Sequence, residues 1–346
     1  MKKTFTIFAA FIALASLAYV RGETGASAAQ VVQEKNVRAH LEFLAGDALQ
    51  GRGSGTQYEL IAAQYLASQL RQFGIAPAGD LDANMQRTFL QTIRRHDKDL
   101  QQAADDTLTQ RQEKAGAAEL NYTWNVVGVL EGRDPKLAEE AILLSAHIDH
   151  LGVMRTTSVD SIFNGADDDA SGVVAVLELA RIFGAGPQPK RTIYFASFGS
   201  EERGGWGSQH FIKNSPVPLS HLIANLQFEM IGRPDSKVAA NTLWLTGFER
   251  SNLGPELAKH GARLVADPHP QENFFERSDN YRLAQCGVIA HTVSSYGLHE
   301  EYHQPNDDLA HIDFAHMTRA INVMIEPIRW LANSSFTPAW FDGKKP

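Results

Sequence analysis

The chain has 346 residues, 43% of them hydrophobic and 21% charged, with a formal net charge of −8. That is ordinary globular composition, long enough to bury a large core without staples. The acidic balance and the absence of a long basic run argue against nucleic acid as a partner, and a single cysteine, Cys286, excludes an intramolecular disulfide.

Lys2 and Lys3 precede an apolar run over residues 5–20, and Ala26-Ser27-Ala28 then offers a small-residue cleavage site. This pattern predicts a signal peptide over 1–28 and a secreted or periplasmic protein. The alternative is an uncleaved anchor, but the run is short for a bilayer and contains Thr6 and Ser16. No second apolar run is long enough to span a membrane, so none is expected as a partner beyond the export signal. Residues 29–346 are expected to form a single catalytic domain.

The glycine-rich stretch Gly51-Arg52-Gly53-Ser54-Gly55 reads as a flexible turn. A phosphate cradle would need a following lysine and a preceding strand, and neither is evident. Residues 57–73 predict an amphipathic helix with Ile61, Tyr65, Leu66, Leu70 and Phe73 near one face and Gly74 as its stop. Residues 97–118, rich in Gln, Asp, Lys and Ala, predict a solvated helix or loop.

From about residue 124 the texture changes. Short apolar runs at 126–130, 141–146, 192–198 and 224–228 alternate with helical patterns, notably 171–183. The alternation predicts an α/β fold with a central mixed, mostly parallel sheet flanked by helices. Cys286, in Cys286-Gly287-Val288-Ile289-Ala290, reads as a small buried hydrophobe. Residues 316–332 read as a closing helix that Pro327 would strain.

Three of the apolar runs end in residues that bind metals. The run at 141–146 stops at His147-Ile148-Asp149-His150, the run at 192–198 leads to Glu201-Glu202, and the run at 224–228 stops at Glu229. Open α/β sheets place their sites just past the carboxyl ends of the strands, so these side chains are expected at one sheet edge. His147 and Asp149 are two apart, and on an extended strand end they would point the same way. Asp149 could then hold the imidazole through its second nitrogen. His150 reads as a neighbour.

Asp167-Asp168-Asp169 precedes a helix, where acids favour the dipole; an anchor for a divalent metal is the other reading. In the Glu201-Glu202 pair one carboxylate can bind metal while the other exchanges a proton with water. His303 sits in acidic company at 300–308, with His299 a turn away as a supporting candidate. His40, His96, His210, His221, His260, His269, His311 and His316 read as surface or capping residues.

Together these motifs resemble the secreted bacterial dizinc aminopeptidase family, the zinc-dependent exopeptidases related to glutamate carboxypeptidase II and the zinc glutaminyl cyclases. The resemblance runs from the Gly51-Arg52-Gly53 region to the Asp313 region. Its markers are His147-Ile148-Asp149-His150, the run from Gly165 to Gly172, Ser200-Glu201-Glu202, Glu229-Met230-Ile231-Gly232, Ser278-Asp279 and Tyr302-His303, in that order. The resemblance implies two zinc ions sharing Asp168, with His147 and Glu229 completing one site and Glu202 and His303 the other. It implies Glu201 as general base and later acid, and Tyr302 as a group that polarises the scissile carbonyl. Peptides are the implied substrates, and release of N-terminal residues the implied reaction.

Many relatives have Asp where this chain has Glu229, Asn where it has Asp169, and His where it has Asn280. In the family the bond after the bridging aspartate is often cis, which gives the same expectation for Asp168–Asp169. A glutaminyl cyclase on the same fold is the alternative activity. Such enzymes can work with one zinc, whereas His147 and Glu229 keep the second site here. An inactive binding domain would have lost ligands. Residues Phe274, Phe275, Tyr281 and Tyr296 suggest an apolar pocket.

Overall fold

The computed structural model describes residues 30–94, 120–154 and 160–346. The expected signal peptide, the polar 97–118 segment and His96 lie outside the described residues. Among the described residues no helix is long and apolar enough to cross a membrane.

In chain order the elements are helices α1 (Glu34–Leu44) and α2 (Gln57–Gln72), strands β1 (Ala76–Pro77), β2 (Leu90–Arg94), β3 (Tyr122–Leu130) and β4 (Ala141–His147), the ribbon β5 (Gly152–Val153) and β6 (Ile162–Phe163), then α3 (Gly172–Ala185), β7 (Thr192–Phe198), α4 (Trp206–Lys213), β8 (Leu222–Phe228), β9 (Leu243–Leu245), α5 (Leu253–Lys259), β10 (Leu264–Ala266), α6 (Asp279–Gln285), β11 (Ala290–Ser294) and α7 (Phe314–Asn333). One nine-stranded sheet has the order β1-β3-β7-β4-β8-β11-β9-β10, with β2 also paired to β3. Its centre, β7-β4-β8-β11, is parallel, and β3 and β9 flank it antiparallel. The mixed, mostly parallel sheet expected from the sequence is the one observed.

Strands buried on both faces read as continuous apolar runs, because alternate side chains serve different layers. In β4, Ile142, Leu144 and Ala146 join the larger core with α1, α2, α3 and α7. Ala141 and Leu143 point the other way and pack with Phe211 of α4 and Leu283 of α6. The register then aligns the strand ends: His147 lies beside Phe198, Ser145 beside Gln227 and Phe228 beside Val293. Whatever follows β4, β7, β8 and β11 therefore emerges at one edge.

Local chemistry accounts for the helix limits. The Thr56 hydroxyl accepts the Glu59 N–H at 3.4 Å to open α2, and Gly74 takes the positive φ that ends it. The buried face of α2 runs through Glu59, Ala62, Ala63, Leu66 and Leu70, while Ile61, expected on it, is 41% exposed. Small alanines permit closer packing against the sheet, which rotates the helix from the face its larger side chains suggest. Helix α7 is capped by Asp313, which accepts the His316 N–H at 2.8 Å, and it continues through a buried Pro327. Cys286 is exposed, contrary to expectation. It closes α6, and the apolar run that enters the sheet begins only after it.

Helix α3 starts against the end of β8. A Cβ on Gly172 would land on the Phe228 carbonyl oxygen and the Asp169 carboxylate. Gly172→Ala is expected to cost about 1–3 kcal/mol through overpacking. Thermal unfolding would show it as a lowered Tm, and an unchanged Tm would contradict this close approach.

Candidate metal centre

His147 is the last residue of β4, and its backbone N–H donates to Asp169 Oδ2 at 3.0 Å. Its Nε2 lies 3.1 Å from Asp168 Oδ1. The other oxygen of Asp168 lies 3.1 Å from His303 Nε2. One carboxylate thus presents one oxygen to each of two imidazoles. Glu202 reaches His303 Nε2 at 3.3 Å with Oε2 and His150 Nδ1 at 3.0 Å with Oε1. Ligand atoms of His147, Asp168 and Glu202 all fall within 4.8 Å of one another. Glu229 follows β8 and lines the same cleft as Asp168, Glu201 and Glu202, with its carboxylate accepting from the Ser278 hydroxyl.

The three consecutive aspartates do three different things. Asp168 faces the cleft, and the Asp168–Asp169 peptide is cis, as expected. Asp167 accepts from the Gly232 N–H at 2.7 Å and the Ser171 hydroxyl at 3.1 Å, and its other oxygen pairs with His299 Nε2 at 3.0 Å. His299 therefore supports the site from behind. Asp169 accepts from His147 N–H, Gly172 N–H and Met230 N–H, tying the ends of β4 and β8 to the start of α3.

Asp149 differs from its expected role. The contact at His147 Nδ1 is the Asp149 backbone carbonyl at 3.1 Å, with the carboxylate at 3.8 Å. That carboxylate instead accepts the Glu201 N–H at 2.9 Å, the Glu202 N–H at 3.3 Å and the Ser54 hydroxyl. Strand β4 has ended at His147, so strand alternation no longer governs where Asp149 points. It fixes the turn that presents Glu201 and Glu202.

Several residues escaped the sequence reading. Arg52 is fully buried and donates to the carbonyls of Ile148 (3.0 Å), Leu44 (2.9 Å), Asn164 (2.5 Å) and Gly165 (2.9 Å), so the glycine-rich turn is a clamp behind the site. Asp307 accepts the Asp167 and Asp168 N–H groups at 2.9 and 3.0 Å, one on each oxygen. It joins the loop carrying His303 to the loop carrying Asp168. The only local hints were an arginine between two glycines and a second acid pair after His303. His150 stands closer to the centre than a bystander, 3.7 Å from Asp168 as well as bonded to Glu202. Among the histidines expected at the surface, His40, His269 and His316 are buried, bonded to Tyr65, Asp235 and Ser295.

The electrostatics are uneven. Burial opposes charge on Glu202, and so does Asp168, yet His303 and His150 outweigh both and hold it at about 2. Burial works against a charged His303, but Glu202 and Asp168 push it up to about 11. Burial would raise Asp168, yet bonds from His147 and His303 keep it well below the usual range. At Glu201 and Glu229 burial outweighs the opposing pull of His147. Burial, reinforced by neighbouring carboxylates, pushes Glu201 well above the usual range and Glu229 to about 7. More negative charge converges here than the imidazoles neutralise. Oxygen and nitrogen donors converging on such an uncompensated acidic centre suit a divalent cation such as zinc.

The cleft carries a wall of Met230, Trp244, Phe274, Tyr296 and Tyr302. Trp244 and Phe274 stack with ring centres 5.4 Å apart, and Tyr302 stacks on His303 at 3.9 Å. Of the four residues expected at an apolar pocket, Phe274 and Tyr296 line this cleft. Phe275 packs beneath it against His291, and Tyr281 lines an adjoining cleft. Asn280 lies under the wall, donating to the Phe275 carbonyl at 3.1 Å and accepting from the Thr292 hydroxyl at 3.0 Å.

Fold and site together make this an α/β protein built around a candidate metal centre at the carboxyl edge of its sheet. Residues 125–328 match the model of peptidase family M28, and the chain belongs to that family. A probable zinc metalloprotease of Pyrenophora teres f. teres (strain 0-1) is 30% identical over 203 residues, 50% of this chain and 42% of that protein. Aminopeptidase YwaD of Bacillus subtilis (strain 168) is 26% identical over 225 residues, 62% and 47% of the two chains. The chain spans less than half the length of these relatives. Among solved structures, the aminopeptidase from Aneurinibacillus sp. strain AM-1 superposes with a TM-score of 0.62 at 16% identity, covering 89% of this chain and 96% of that one. The glutaminyl cyclase of Porphyromonas gingivalis gives 0.58 at 18%, covering 86% and 98%. At these identities the likeness is one of fold.

A cation must displace protons from this cluster. Glu229, at about 7 without metal, is protonated below that pH and then binds no cation. Zinc affinity is therefore expected to fall as pH drops from 8 to 6, with proton release on binding. Calorimetric titration in buffers of different ionisation enthalpy reads both quantities. Equal affinity at the two pH values with no protons released would contradict the assignment.

Proposed function

We propose that this chain is a zinc aminopeptidase, releasing N-terminal residues from peptides at a two-zinc site. The observation that carries the reading is Asp168, with one oxygen directed at His147 and the other at His303. His147 and Glu229 would hold one ion with Asp168, and Glu202 and His303 the other. The family membership and the names of the relatives support the same chemistry. The pattern of residues 1–28 supports export to the periplasm or beyond, and the continuous sheet supports one catalytic unit over 29–346.

Bound zinc supplies Lewis acidity for the scissile carbonyl and lowers the pKa of water at the site toward neutrality. Glu201 takes the proton as water adds to the carbonyl carbon, then delivers it to the nitrogen as the carbon–nitrogen bond breaks. Burial raises its proton affinity, the direction such an exchange requires. Asp149 holds the Glu201 backbone and so sets where that carboxylate stands. Tyr302 lines the cleft, and burial beside Asp168 and Glu202 raises its pKa well above that of a free phenol. It stays protonated and can donate to the oxygen that gains charge. Glu229 and Glu202 match the substrate's ammonium group, and the aromatic wall suits an apolar first side chain.

Glu201→Gln is expected to retain zinc while losing roughly 10²–10⁴-fold in rate. Chromogenic aminoacyl substrates and metal analysis on the same sample read the two effects, and near-full activity would remove Glu201 from the proton-transfer role. Asp168→Ala is expected to weaken both ions, and two tightly held zincs in that variant would refute the shared carboxylate. A glutaminyl cyclase would instead release ammonia from N-terminal glutamine without freeing an amino acid, so product analysis separates the two activities.

A further inference from the structure

A second cleft adjoins the first, lined by residues that include Gly204, Gly205, Asp279, Tyr281 and Arg282. The two clefts share Glu201, Arg277 and Ser278. The first contains Asp168, Glu202 and Glu229, whereas the second contains none of the proposed zinc ligands. Glu201, which delivers the proton to the leaving nitrogen, stands where they meet. The part of a peptide beyond the broken bond therefore runs past Glu201 into the second cleft. This deduction rests on the peptidase reading.

That region is acidic, with Glu201, Glu276 and Asp279 in its lining, so a substrate carboxylate entering it needs a fixed cation. Arg282 is engaged, donating to the Gly204 carbonyl at 2.8 Å. Arg277 is available. Its side chain is 42% exposed, and its guanidinium lies over the Phe274 ring at 4.9 Å. Among the described residues its carboxylate neighbour is Glu272 at 3.7 Å, itself partly exposed, an arrangement that holds little energy. A planar guanidinium resting on an aromatic face keeps its fork of donors free for a carboxylate.

We propose that Arg277 binds the C-terminal carboxylate of dipeptides, making them the preferred substrates of this site. A dipeptide has its free carboxylate one residue beyond the scissile bond, at the junction where Arg277 stands. Longer chains and C-terminal amides offer no charge there.

The test is binding, measured by calorimetry on zinc-loaded Glu201→Gln protein with leucylglycine and leucylglycinamide. The free acid is expected to bind roughly ten- to a hundredfold tighter, the worth of a charged hydrogen-bond pair. Adding Arg277→Gln should bring the ratio close to one, and Arg277→Lys, which keeps the charge but loses the fork, should leave it intermediate. Equal affinity for acid and amide, or a ratio that persists in Arg277→Gln, would overturn the proposal. If the unmodified protein hydrolyses neither peptide while the ratio behaves as expected, the peptidase reading fails and the carboxylate anchor stands.

Discussion

The carboxylate of Asp168 stands between two imidazoles, and the surrounding structure serves to keep it there. Its backbone N–H and that of Asp167 are gripped by the two oxygens of Asp307. Asp169 binds the end of β4 and the chain after β8, while Asp167 binds Gly232 and His299. Three adjacent acids thus fasten one loop to three other segments, and only the middle one faces the cleft. Such a network is costly if partly satisfied and specifies one geometry when complete. Arg52 adds four carbonyl bonds behind it, so backbone groups in irregular segments are paired in the absence of a ladder.

The sheet supplies the other half of this constraint. Parallel pairing of β7, β4 and β8 in register delivers His147, Glu201, Glu202 and Glu229 to one edge. This part was legible in the sequence, because each apolar run ends where metal-binding residue types begin, and the carboxyl ends of parallel strands share an edge by construction. What was not legible depends on contacts between distant segments. Asp307 and Asp168 are 139 residues apart, and neither has a local pattern that names the other. Arg52 looked like part of a flexible turn because its partners are carbonyls, which carry no side-chain signature. Asp149 lies two residues past the end of β4, where strand alternation no longer tells which way a side chain points. Ile61 and Cys286 show the same limit in the core, where packing decides which side of an amphipathic segment is buried.

Function divides along the same line. The shared fold is compatible with hydrolysis and with cyclisation, since fold alone does not select a reaction. The proposed chemistry comes from the division of labour at the edge. In that proposal His147, Asp168, Glu202, Glu229 and His303 would bind the cations and Glu201 would carry the proton, with Asp149 fixing the backbone of both Glu201 and Glu202, and Tyr302 lies over His303 with its proton retained. Substrate choice would then rest on residues outside that set, the aromatic wall of the first cleft and Arg277, which lies over Phe274 where the two clefts meet.

The central claim is that Asp168 serves two cations at once. Crystals grown with zinc, measured on either side of the zinc absorption edge, test it directly. Two anomalous peaks are expected flanking the Asp168 carboxylate, one beside His147 and Glu229 and the other beside Glu202 and His303. A single peak, or peaks that do not touch Asp168, would contradict it.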